Sequence, residues 1–243
     1  MMCFSRLSAL FAILLLVAPL QAEDSEDQSK VIGMGTDVAT FLLYHPNDMT
    51  SHAESPVGWY SAPFAVKKFL EAGKLVGFST GSDGSYSFRL TTGELTEREK
   101  AWARCSVQFR LDVQHGAVHL DNSNRLPCED VPGPWRLSDS ASFELENGKY
   151  IATVTGVNWA KEPGAMDANK LATDEALQSY VIQFEKVGSF DDVKPPPCLP
   201  DMRGDEPSYF AVEFARKVVQ PFVPQVEESK GRLPVFVVDE PLR

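Results

Sequence analysis

Residues 106–114 read SVQFRLDVQ, and every second one is apolar: Val107, Phe109, Leu111 and Val113. A two-residue period puts one face of the backbone in a core and the other in water, which an extended strand does and a helix does not. Such a strand needs neighbours to satisfy its amides and a second layer to cover its apolar face. His115-Gly116 predicts a turn, with residues 117–120 returning. Phe143 and Leu145 alternate in the same way into Asn147-Gly148, the strongest short hairpin signal, and residues 150–159 (YIATVTGVNW) form the expected return strand. Residues 36–44 (TDVATFLLY), 75–79, 85–91, 180–187 and 234–238 add further β-branched and aromatic runs.

Helical signals are few. Residues 65–72 predict one short helix, and Thr96-Glu97-Arg98-Glu99 is a capping box that opens another to about residue 104. Phe210 and Phe214 stand four apart in a third candidate over 205–219. The chain is therefore expected to be mainly β, an antiparallel β-sandwich or curled sheet of about eight or nine strands with one to three short helices.

The expected organisation starts with a signal peptide over residues 1–22, with Arg6 in a short basic start, an apolar run over 7–20 and a small residue before an acidic stretch. A flexible acidic tail over 23–35, a β-rich domain over 36–187 and a Pro-rich connection with a C-terminal extension over 188–243 follow, the extension packed on the main domain. This predicts a periplasmic or secreted protein with no stable membrane insertion once the leader is gone. Removing the leader takes Cys3 with it and leaves Cys105, Cys128 and Cys198. In an oxidising compartment three cysteines allow one disulfide and one thiol. Cys128 and Cys198 lie in proline-marked loops and form the expected bridge, which would close a loop of about 70 residues and contribute about 4 kcal/mol in the chain-entropy model. Cys105 opens a strand and is expected to be a buried thiol.

The net charge is −11, or −12 without Arg6. That argues against a nucleic-acid partner, whose phosphates need Lys and Arg, and for a basic protein partner.

Gly77-Phe78-Ser79-Thr80-Gly81 matches the G-x-S-x-G nucleophile elbow. The elbow needs a helix directly after it. Here Tyr86, Phe88 and Leu90 alternate instead, so Ser79 is expected in a turn between strands and no catalytic residue is assigned. The loop Gly81-Ser82-Asp83-Gly84 exposes amides and a carboxylate that suit a bound ion, and Asp83 is a candidate binding residue. Trp59, Tyr60 and Trp159 are the other candidates, through flat faces suited to a sugar or a protein surface. His45, Asp48 and His52 share one loop as a possible metal set; His115 and His119 stand four apart as in a zinc helix, but the residues between them are Gly-Ala-Val without the Glu base, and the pair straddles the expected turn. No metal or other cofactor is expected. Arg203-Gly204-Asp205 is taken as a chance tripeptide.

Residues 36–187 resemble an uncharacterised bacterial domain family that includes immunity-type proteins of polymorphic toxin systems. The resemblance is carried by TDVAT, Gly58-Trp59-Tyr60, GSDGSY over 81–86, GELTEREK, Gly148-Lys149-Tyr150, Asn158-Trp159 and YVIQF over 180–184. It implies a protein that neutralises another through a surface. The leader and residues 188–243 depart from that pattern and direct the role to a toxin acting outside the inner membrane. The expected function is thus an exported, non-enzymatic binding protein, the alternative being an envelope hydrolase or carbohydrate-active protein.

Overall fold

The computed structural model describes residues 27–52, 66–122 and 139–209. In chain order the strands are β1 Ser29–Thr36, β2 Thr40–Tyr44, β3 Leu75–Ser79, β4 Gly84–Thr91, β5 Ala103–Val113, β6 Ala117–Asn122, β7 Ser142–Glu144, β8 Gly148–Val157 and β9 Tyr180–Val187. Two short helices, α1 Lys67–Glu71 and α2 Glu97–Trp102, and 3-10 turns such as Pro46–His52 and Trp159–Lys161 complete the described elements. One sheet has the order β1-β4-β9-β8-β5 and the other β3-β2-β6-β7. The expected mainly β chain forms, and of the two expected arrangements it takes the one with two sheets. All strand pairs are antiparallel except β4 with β9, which run parallel.

The alternation in β5 does what its period predicts. Val107, Phe109, Leu111 and Val113 are buried, while Ser106 and Gln108 are exposed. Between the sheets lies an aromatic cluster, Phe41 and Phe78 from the four-stranded sheet against Phe88 and Tyr180 from the five-stranded one. All five residues of β2 are buried, because the outer face of its sheet is also covered. Part of that cover is Leu199: a Cβ on Gly77 would stand 2.6 Å from Leu42 Cδ2 and 2.7 Å from Leu199 Cδ2, so only glycine lets them meet there. The free edge of β3 is closed by the same segment, with Ser79 N–H donating to the Pro200 carbonyl and Met202 N–H to the Ser79 carbonyl. A covered edge offers no template for another chain.

Four expectations about connectivity are corrected. Residues 29–36 are not part of a flexible tail but the edge strand β1, whose glycines 33 and 35 dilute the β signal. The run 36–44 is not one strand. Thr36 Oγ1 accepts the N–H groups of Val38 and Thr40, Ala39 adopts φ +51°, and the chain changes sheets there.

The other two corrections concern hairpins. β5 does not pair with β6, nor β7 with β8. Val113 lies opposite Gly148, Ala117 opposite Glu144, and His119 opposite Ser142. The sum of partner numbers is constant along these pairs. Residues 105–119 and 142–156 are therefore one continuous antiparallel ribbon that bends from the first sheet into the second. His115-Gly116 and Asn147-Gly148 are its two bends, clamped together as Gly116 N–H donates to Asn147 Oδ1 at 2.8 Å and Leu145 N–H to the Gly116 carbonyl at 3.0 Å.

Gly148 sits at φ +153°, and a Cβ there would stand 3.1 Å from Lys186 Cε. Gly148→Val is therefore expected to destabilise the fold by about 1 kcal/mol or more, through the bend and not through a hairpin turn. A thermal melt with an unchanged midpoint would show that the bend tolerates a side chain.

Candidate functional site

Ser79 is committed to structure. Its hydroxyl donates to the Ala39 carbonyl at 2.9 Å and accepts the Gly81 N–H at 3.1 Å. The chain continues into β4, as the alternation of residues 86–90 predicts, and not into the helix an elbow requires. Asp83 is exposed in this turn. Over the turn lies Arg203, which is paired bidentately with Asp201 and packs where a Gly81 side chain would be. That packing takes Arg203-Gly204-Asp205 out of a freely presented loop.

Trp59, Tyr60 and Cys128 lie outside the described residues. Cys198 is fully buried, and no disulfide is found among the described residues. Cys105 is buried as expected. Its thiol donates to the Met202 carbonyl at 3.6 Å, and burial raises its pKa, which keeps it away from the reactive thiolate.

Trp159 is where the sequence reading and the surface coincide. It opens a 3-10 turn directly after β8, is half-buried, and stands between two adjoining clefts. The larger, about 540 Å³, runs over the outer face of β1 and β4, where Gly33 faces Ser87 and Gly35 faces Ser85 across the ladder. Its far wall is the 172–179 segment, held down by Ser179 N–H donating to Ser87 Oγ at 3.2 Å. The smaller, about 320 Å³, is lined by Ser82, Arg104, Asn158, Trp159, Tyr180 and Arg203 among others. Burial pushes the Tyr180 hydroxyl up to about 12 despite the nearby Arg104, so it remains protonated. Among the described residues, no carboxylate, imidazole or thiol lines either cleft. The surface offers hydrogen-bond donors, hydroxyls and an indole face, a set suited to holding a ligand.

A second cluster joins residues that the sequence placed in two separate groups. The bend of the ribbon carries His115 against the end of β2, where its ring stacks on His45 with centroids 4.3 Å apart, and His119 lies 5.6 Å from His45. Asp48 Oδ1 is 3.4 Å from both His115 Nε2 and Lys74 Nζ, and Lys74 also reaches Asp112 at 3.3 Å. Asp139 and Lys30 also act on His119 electrostatically, in opposite directions. His119 Nδ1 is buried without a partner. No three His, Cys, Asp or Glu side chains among the described residues are placed to hold a metal ion. The sequence offered these residues as two separate groups, His45 with Asp48 in one loop and His115 with His119 about the expected turn, and gave no signal that the two would meet.

Burial lowers the pKa of both His45 and His119 below the ordinary 6.5, and the neighbouring histidines lower His45 further against the opposing pull of Asp48. The unfolded chain then binds more protons than the folded one in the window just below 6.5. Stability is full above that value and falls as pH drops through it. Melting midpoints across about pH 8 to pH 5 are expected to decline from near pH 6.5, and His119→Gln to flatten that decline. A level midpoint over this range would contradict the burial of neutral imidazoles.

No family model and no curated protein matches the chain. Two solved structures are similar to it. "Crocagin biosynthetic gene J" matches with TM-score 0.42 at 14% identity, covering 65% of this chain and 97% of its own. ComJ, described as the inhibitor of the DNA-degrading activity of NucA from Bacillus subtilis, matches with TM-score 0.38 at 16% identity, covering 67% of this chain and 100% of its own. At these scores neither likeness bears on which surface acts or on what.

Proposed function

We propose that the protein is an exported binding protein that holds a basic protein partner, in the manner of an immunity-type inhibitor, and does not turn over a substrate. The observation that carries this reading is charge. Behind a leader-like start the chain has 34 Asp and Glu against 22 Lys and Arg, the 23 of the whole sequence less Arg6, a balance that attracts cationic surfaces. The two clefts beside Trp159 have no carboxylate, imidazole or thiol among the described residues that line them, and the Ser79 hydroxyl is engaged in a turn, both of which suit binding more than catalysis. ComJ is itself an inhibitor by its description, and the reading stands on this chain's own charge without it.

The test is co-purification from the envelope fraction, followed by association kinetics with the captured partner at rising salt. Attraction between exposed charges fades beyond the Debye length, about 8 Å at physiological salt. The association rate is expected to fall steeply with salt while dissociation changes less. A salt-independent association rate would remove the basic partner. Ester or glycoside turnover by the purified protein, with no partner recovered, would replace the reading with an envelope hydrolase or carbohydrate-active enzyme.

A further inference from the structure

Arg104 is where β5 loses its register. Ala103 lies opposite Val157 and Cys105 opposite Gly156, so Arg104 is the extra residue of a β-bulge. A bulge takes one side chain off the strand's alternation, and strands use it to re-aim a residue at a site. Gly156 makes room for the result: a Cβ there would stand 2.9 Å from Arg104 Nε.

The guanidinium reaches the smaller cleft and lies 5.9 Å over the Tyr180 ring. It donates to the Arg203 carbonyl at 2.8 Å and to the Tyr180 hydroxyl at 3.3 Å, and its Nε–H is buried with no acceptor. Three of the other described arginines have a carboxylate: Arg89 has Glu99, Arg98 has Glu162 and Arg203 has Asp201. Arg110 has none, but it is spent pinning the carbonyls of Phe190 and Val193. Arg104 makes no carboxylate pair among the described residues and faces a cleft. In a chain of net charge −11, that is a cation with no counter-charge among the described residues.

We propose that this recess is an oxyanion subsite, which takes the carboxylate or phosphate group of a small ligand on the edge of Arg104. The ligand's flat or apolar part would then lie along Trp159, toward the adjoining cleft. A guanidinium presents parallel donors that match two oxygens of one oxyanion, which an ammonium cannot do. Asn158 and Ser82 line the same recess and supply further hydrogen-bonding groups. The two clefts, about 320 and 540 Å³, are of the size that holds small ligands. The proposal is independent of any protein partner.

The test titrates inorganic phosphate, phenyl phosphate and benzoate separately into the purified protein, read by amide NMR shifts and by calorimetry. The aromatic probes are expected to bind more tightly than phosphate and to move the amides of Asn158 and Trp159. Whichever of benzoate and phenyl phosphate binds more tightly identifies the oxyanion. Arg104→Met is expected to weaken the better probe by about tenfold or more, Arg104→Lys by less. Gly156→Ala, which crowds Arg104, should weaken it too, while Arg98→Met leaves it unchanged. If Arg104→Met does not fold, Arg104→Lys and the wild-type shift map decide. The subsite is overturned if no probe at millimolar concentration moves Asn158 or Trp159, or if a folded Arg104 variant titrates like wild type.

Discussion

Phe88→Ala is expected to lower the unfolding free energy by about 3 to 5 kcal/mol, the range for emptying a large aromatic site that cannot collapse. Phe88 is fully buried, packs edge-on against Phe41 at 4.7 Å and stacks on Tyr180 at 5.7 Å. It stands on β4 opposite Ile32 of β1 and Tyr180 of β9, with Phe78 at 6.4 Å across the core. One ring thus joins three strands of one sheet to two strands of the other. Truncation removes apolar burial and also leaves a void between two stiff sheets, so surrounding rings lose contacts they cannot recover. For a chain of this size the loss should appear as a fall in Tm of roughly 2–4 °C per kcal/mol. Urea unfolding should show a lower midpoint with an unchanged slope. Phe88→Leu refills much of the space and should cost clearly less. A loss below about 1 kcal/mol for the alanine variant would mean that the aromatic cluster is not what joins the sheets.

Local signals in the sequence were read correctly where the physics is local. The period of residues 107–113 selects the buried face of β5 because side-chain alternation is a property of one strand. The Thr96–Glu99 capping box forms as written, since its hydrogen bonds span three residues. Pairing is another matter. Asn147-Gly148 and His115-Gly116 announce that the backbone needs glycine's freedom, and a bend in a continuous ribbon needs it as much as a hairpin turn does. Only the constant register from Cys105–Gly156 to His119–Ser142 distinguishes the two. The same holds for the surface. Trp159 was legible as a flat face, but its cleft depends on segment 172–179 folding back over β4. Arg104 carried no advance signal, because a bulge is a mismatch between two strands and exists in neither alone. Likewise, the histidines meet only after the ribbon bends.

Glu99→Gln is expected to cost about 3 to 5 kcal/mol, the scale for removing one partner of a buried ion pair. Glu99 is 2% exposed and takes Arg89 bidentately at 2.6 Å through Nε and Nη2. The same carboxylate accepts the Thr96 backbone N–H at 2.7 Å and the Thr96 hydroxyl at 3.0 Å. Burial opposes its ionisation, but the Arg89 and Thr96 hydrogen bonds outweigh burial and hold its pKa below the ordinary value of 4.5. Glutamine is a good substitute in the capping box itself, so the helix start should survive and the loss should report the charge. It leaves Arg89, whose side chain is 13% exposed, with a neutral partner in a nearly dry site. The pH dependence separates this from simple packing. A carboxylate with a depressed folded pKa contributes fully above its unfolded value of 4.5, and the contribution is lost as pH falls through the folded one. The gap between wild type and Glu99→Gln should therefore be constant at neutral pH and close in acid. Arg89→Met combined with Glu99→Gln should recover part of the loss, because no unpaired charge then remains buried. A double variant that loses the sum of the two single losses, or a gap that persists in strong acid, would show that the pair acts through shape and not through charge.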